Sequence, residues 1–207
     1  MNITDSVPGG LILASASPRR SELLRQLGVE FSVQPTDIDE RVRPDEKPQD
    51  YVRRMALEKA AAGKSFIAVG SNECVLAADT AVVIDGRILG KPRDREDALE
   101  MLCSLSAAKH LVMSGVAVCN DDSTLDVMSI TEVTFGVVTP QQAAAYWDSG
   151  EPCDKAGAYA IQGLGAVFVR TLAGSYSGVV GLPLYETAEL LRNFGYSVGF
   201  DDHSYTG

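Results

Sequence analysis

The run Leu11-Ile12-Leu13-Ala14-Ser15-Ala16-Ser17-Pro18-Arg19-Arg20 leaves this chain few ways to begin. Four apolar residues, Leu11–Ala14, read as a buried strand, and small and hydroxyl residues then make a turn. Ser17 suits a helix N-cap and Pro18 the first helical position. A strand that hands its C-terminal end to a helix N-terminus is the repeating joint of an α/β fold. Helix N-termini offer free N–H donors and partial positive charge, which favour anions. Two guanidiniums beside that end make phosphate the guest they suit.

Strand and helix signals alternate along the rest of the chain. Ser17–Leu27 is expected as a helix closed by Gly28, Phe31–Gln34 as a strand, 37–46 as a charged loop, and Gln49–Ala62 as a helix with Val52, Met55, Ala56 and Ala60 inward. Cys74–Ala78 and Ala81–Ile84 read as two strands, and Asp85-Gly86 signals a hairpin back to Arg87–Leu89. Arg93–Leu105 reads as a helix. Leu111–Cys119 and Leu125–Val138 read as long strands joined by the turn 120–123. Thr139-Pro140-Gln141-Gln142 has the form of a capping box at a helix start. Val167–Leu172 reads as a strand and Leu184–Phe194 as a last helix. The polar ends, residues 1–10 and 197–207, are expected to be flexible, leaving 11–196 as a single α/β domain.

Several function classes are disfavoured at this level. The formal charge of −10 argues against nucleic-acid and acidic-membrane binding, both of which need a basic face. No apolar run is long enough to span a bilayer. Cys74, Cys103, Cys119 and Cys153 show no metal-ligand spacing and read as reduced, mostly buried thiols of a cytoplasmic protein. With only two histidines, a histidine-based zinc site or a Ser–His–Asp triad is improbable.

The candidate chemistry sits at strand ends and turns. Arg19 and Arg20 project about 100° apart on a helix, so one can face a pocket while the other braces the loop. Asp79, read at the C-terminal end of a strand, lies where open α/β sheets bind ligands, and Thr80 adds a hydroxyl. Glu40, within Asp37-Ile38-Asp39-Glu40, belongs to a carboxylate cluster suited to Mg²⁺ or Mn²⁺. Lys59 and Lys91 are point charges fit for phosphate. The irregular segment 149–163 holds Glu151, Asp154, Lys155 and Gln162, and the Gln162 amide has the donors and acceptor to read a base edge. Gly174-Ser-Tyr-Ser-Gly178 is a turn cluster that can cradle an anion with its backbone.

Taken in order, LILASASPRRSELLRQLG, EKA, AADT, GKP, DKAGAYAIQG and GSYSGVVGLP resemble the Maf family of septum-formation-inhibitor-like nucleotide pyrophosphatases. These segments extend from Leu11 to about Phe194. The resemblance implies a Maf/ITPase-like α/β fold, an elongated mixed β-sheet flanked by helices, with two lobes and a central cleft. It implies divalent-metal-assisted hydrolysis of a nucleoside triphosphate to the monophosphate and pyrophosphate. Arg19, Thr80 and Gln162 match the positions associated with base choice in the dTTP/UTP pyrophosphatase subgroup. Asp79 matches the general base, and Ser15, Arg20, Glu40, Lys59 and Lys91 match positions implicated in substrate or metal binding. Glu40 and Asp79 are the expected metal ligands. Ala78 departs from the family, standing where glycine is common. The alternatives are a 7-methyl-GTP pyrophosphatase and a nucleotide-binding regulator of division with little turnover. The expected partner is the nucleoside triphosphate, with a homodimer left open and neither nucleic acid nor membrane involved.

Overall fold

The computed structural model describes residues 9–68 and 70–199. Its centre is a mixed sheet built from β1 (Leu11–Leu13), β2 (Phe31–Val33), β3 (Cys74–Ile84), β4 (Arg87–Leu89), β5 (Lys109–Cys119), β6 (Thr124–Phe135) and β7 (Val169–Ala173). The strand order is β2-β1-β3-β5-β6-β7, with β4 also paired to β3. β1 runs parallel to β2 and β3, and every other pairing is antiparallel. The parallel pairs need crossovers, supplied by α1 (Pro18–Arg25) and α2 (Pro48–Gly63). The expected mixed α/β sheet with flanking helices is found. Among the described residues no helix is long and apolar enough to cross a membrane.

α2 covers one face, burying Val52, Met55, Ala56 and Ala60 at the spacing that the sequence shows. Its Gly63 lies so close to β3 that a Cβ there would stand 2.6 Å from Val75 Cγ1. The other face packs against α1 and α6 (Leu184–Asn193) at one end, and against α3 (Arg95–Leu105) and α4 (Pro140–Asp148) at the other. The core breaks at one level of β3 on both faces. Ala77 and Ala81, on either side of Asp79, belong to different apolar clusters on the α2 face. Ala78 and Val82, on either side of Thr80, belong to different clusters on the opposite face.

The structure corrects several expectations. β3 is one strand of 11 residues, not two, so Asp79 and Thr80 lie in its middle and not at a strand's C-terminal end. The continuous ladder with β5, from Val75↔Cys119 to Val83↔Leu111, carries the strand through the polar pair. Ser17 occupies the N-cap position but its side chain makes no capping bond. Its backbone N–H instead donates to Ser15 Oγ at 3.2 Å. The turn cluster 174–178 folds into a short helix, α5 (Tyr176–Val180). There Ser175 Oγ accepts from Gly178 N–H, and the Val179 and Gly181 amides bond within the turn, so these amides form no open anion cradle. Of the four cysteines, all free, Cys103 and Cys153 are exposed and only Cys74 and Cys119 are buried. The expected flexible ends lie outside the described residues except at 9–10 and 197–199. There the Tyr196 hydroxyl donates to the Gly9 and Gly10 carbonyls, and Val198 is buried.

Candidate active site

β3 is paired from Val75 to Val83 on one side and only at its ends on the other. β1 pairs with Cys74–Leu76, and β4 pairs with Val82–Ile84. Between them, among the described residues, no strand pairs with residues 77–81 on that side. A cleft of about 560 Å³ opens at this gap. Side chains alternate along a strand, so Asp79 and Thr80 point to opposite faces, yet both border the opening. Ser15, Arg19, Arg20, Glu40, Lys59, Asp79, Thr80, Lys91 and Gln162, every residue to which the family resemblance gave a site role, line this one cleft, whereas Glu151 and the 174–178 cluster do not.

At the centre a buried cation, Lys59, is shared by the buried Asp79 and the exposed Glu40. Lys59 Nζ lies 2.8 Å from Asp79 Oδ1 and 2.6 Å from Glu40 Oε1. α2 delivers Lys59 from its buried face, one turn from Met55 and beside Ala60. Burial pushes the Asp79 carboxyl above its ordinary range, against the pull of Lys59 and Arg20. Burial acts the same way on Glu40, but the Lys59 hydrogen bond and the charges of Lys59, Lys91 and Arg20 outweigh it and leave that carboxyl below its ordinary range.

Glu40 is on a loop, and α2 holds that loop in place. The Tyr51 hydroxyl donates to the Glu40 carbonyl at 3.0 Å. Arg54 donates to both Glu46 carboxylate oxygens, at 2.5 and 2.7 Å, and to the Arg41 carbonyl at 3.1 Å. These bonds from Arg54 hold the Glu46 carboxyl down at about 2. Burial, together with the charges of Asp79 and Glu40, pushes the Tyr51 phenol up to about 12.

The two arginines divide the work. Arg20 is a brace. Its Nε donates to the Gly181 carbonyl at 2.9 Å, Nη1 to Ser15 Oγ at 3.2 Å, and Nη2 to Thr80 Oγ1 at 3.4 Å. Arg19 reaches across the mouth to Asp154, 3.5 Å away. The segment 149–163, expected to be irregular, holds two short 3₁₀ turns, Glu151–Asp154 and Ala156–Ala158, and a third, Leu164–Phe168, follows it. It is gathered on one carboxylate. Glu151 accepts from the Tyr146 hydroxyl at 2.7 Å and from the Leu164 and Gly165 amides at 2.8 and 3.0 Å. This folding brings Lys155 and Gln162 to the cleft.

Arg19, Arg20, Lys59, Lys91 and Lys155 face only Glu40, Asp79 and Asp154 in the lining, so an acidic chain encloses a basic pocket. Sequence reasoning passed over Thr36, Tyr51, Arg54 and Ser114. Thr36 Oγ1 is buried in the cleft wall without a hydrogen-bond partner, ready for a polar ligand. Arg54 carried a local signal, its spacing of four from Glu58 on a helix. Ser114, within an apolar strand, carried none.

Among the described residues no group of three or more His, Cys, Asp and Glu side chains is arranged to hold a metal. The pair Asp79 and Glu40 nevertheless fits a hard divalent cation. Two oxygen donors already converge on one positive centre, and Mg²⁺ is commonly held by one or two carboxylates completed by phosphate oxygens and water.

Residues 10–194 match the family model described as Maf-like protein. A protein of Shigella dysenteriae serotype 1 named dTTP/UTP pyrophosphatase is 53% identical over 184 residues, 89% of this chain and 92% of that one. One of Anaeromyxobacter dehalogenans with the same name is 52% identical over 195 residues, 92% of this chain and 97% of that one. Among solved structures, a nucleoside-triphosphatase (dITP/XTP pyrophosphatase) of Mycobacterium abscessus aligns with a TM-score of 0.45 at 16% identity, covering 91% of this chain and 99% of that one.

Proposed function

The chain belongs to the Maf family, and from that premise we propose that it is a nucleoside triphosphate pyrophosphatase acting on dTTP and UTP. Each substrate is cut to the monophosphate and pyrophosphate. The observation that carries the reading is Lys59 between Asp79 and Glu40 at the floor of a cleft otherwise rich in cations. Setting two carboxylates, Asp79 buried and Glu40 exposed, beside a phosphate site is unfavourable unless a proton or a cation is to be handled there.

In this reading Arg19, Lys91 and Lys59 bind the triphosphate, and Arg20 with Ser15 holds the loop that receives it. A water oxygen bonds to the α-phosphorus, the α–β anhydride oxygen leaves with pyrophosphate, and Asp79 takes the water proton. A Mg²⁺ or Mn²⁺ ion held by Glu40 and Asp79 would supply charge neutralisation and a more acidic water. Lys59 answers the charge of both carboxylates. Thr80 and Gln162 read the base, since a wrong base leaves their polar atoms unpaired.

The test is pyrophosphate release from a panel of nucleoside triphosphates with Mg²⁺, Mn²⁺ or EDTA. Metal-dependent release from dTTP and UTP, with little from purines, is the expected result. Tight nucleotide binding without release would replace the enzyme with a sensor.

A further inference from the structure

Ser114 is buried on β5 directly across from Thr80 on β3. Its hydroxyl donates to the Gly178 carbonyl at 2.7 Å and lies 2.9 Å from the Thr80 hydroxyl. Each hydroxyl has one proton to give. With the Ser114 proton committed to Gly178, Thr80 donates to Ser114. The alternative, Ser114 donating to Thr80, gives up the 2.7 Å bond to Gly178 and offers the Thr80 proton the Gly181 carbonyl at 3.5 Å. In the arrangement that keeps both short bonds, the Thr80 proton is turned into the protein. Toward the cleft Thr80 offers lone pairs alone, one of them met by Arg20 Nη2.

We propose that Ser114 is a positioning residue for base choice: it fixes Thr80 as a hydrogen-bond acceptor, so that the cleft favours a pyrimidine ring with an imide N–H over one whose ring nitrogen is itself an acceptor. This rests on the nucleotide reading above. Uracil and thymine carry a donor at that ring nitrogen; cytosine presents a lone pair there. Two acceptors set face to face leave both unpaired, which costs more than a missing contact. Ser114 makes no contact with the ligand in this scheme and acts only through the direction of the Thr80 proton.

The experiment compares kcat/KM for UTP and CTP in the full-length protein, Ser114→Ala, Thr80→Val and the double variant, with thermal melting followed alongside. Wild-type release from UTP comes first, and its absence defeats the nucleotide reading. Ser114→Ala frees the Thr80 proton to turn outward and is expected to lower the UTP/CTP ratio about tenfold, the loss of one matched hydrogen bond. In the Thr80→Val background the same change is expected to move the ratio no further. Release from UTP with an unmoved ratio in Ser114→Ala, or an equal fall in the Thr80→Val background, overturns the proposal. An independent measurement needs no variant. A fluorine on the uracil ring makes the imide N–H more acidic. As the pH is raised, fluorouridine triphosphate is therefore expected to lose apparent affinity at a lower pH than UTP, and coincident profiles overturn the proposal equally.

Discussion

Asp79 and Thr80 are chain neighbours on opposite faces of β3, and both reach one cleft because neither β1 nor β4 pairs with the strand between Leu76 and Val82. In the proposed scheme, proton chemistry and base reading are thereby separated by a single peptide bond. Asp79→Asn keeps the shape and removes the charge that Lys59 answers. Its kcat for UTP is expected to fall by at least about a hundredfold. If the loss persists at saturating Mg²⁺, Asp79 acts as the base. If extra Mg²⁺ restores the rate, Asp79 acts as a ligand. A variant that keeps most of its rate in ordinary buffer contradicts both roles.

Arg54 never touches the substrate in the proposed scheme, yet it ties the loop of Glu40 to α2 through Glu46 and the Arg41 carbonyl. Arg54→Ala should therefore raise the Mg²⁺ concentration for half-activity while leaving the preference for UTP over CTP alone. Small displacements of positioning groups can cost up to about a hundredfold, so a change of at least about threefold is expected. An unchanged metal requirement would show that the loop holds itself in place.

Glu151 gathers the segment that carries Lys155 and Gln162. Glu151→Ala strips partners from the Tyr146 hydroxyl and from two backbone amides. A loss of about 2 kcal/mol in stability is expected for bonds of this kind, together with a higher KM for UTP. Denaturant unfolding and steady-state kinetics report the two effects. A destabilised variant with an unaltered KM would mean that the segment does not hold the substrate.

His110 sets an acid limit on stability. It is buried among Phe135 and Tyr159, with Nε2 2.9 Å from the Tyr159 hydroxyl and Nδ1 without a hydrogen-bond partner. Burial pushes its pKa down from 6.5 to about 4. Between those values the unfolded chain binds more protons than the folded one, so this contribution is intact above pH 6.5 and is lost as the pH falls through about 4. The shift corresponds to roughly 3 kcal/mol. Melting curves over this window should steepen less with acid for His110→Gln than for the wild type. Parallel pH dependences for the two would refute the assignment.

The scaffold was readable wherever the determining physics is local. The Thr139–Gln142 capping box forms as its spacing dictates, Asp85-Gly86 turns the chain between β3 and β4, and the inward residues of α2 follow from a period of 3.6. The break assumed at Asp79 shows where locality ends. A polar pair interrupts an apolar run, and only the ladder with β5 shows that the strand continues. The same holds for the site. The residue types of Arg19, Arg20 and Asp79 suggested phosphate chemistry, but the partner of Arg20 at Gly181 lies 161 positions away. The Ser114 hydroxyl gains meaning only from Thr80 across the sheet and Gly178 above it. The role given to Ser15 came from family likeness alone, because a serine in isolation says little.

The unpaired stretch of β3 also bears on how the molecule stays out of trouble. Exposed strand edges are templates for unwanted pairing, and proteins commonly shield them with charge, twist or cover. Here the open backbone is closed off by β1 at one end and β4 at the other, and it carries a buried charge at Asp79. An intruding strand would run into its own neighbours before it could grow into a ladder. Opening the sheet from within gives the ligand access to the chain while denying a foothold to aggregation.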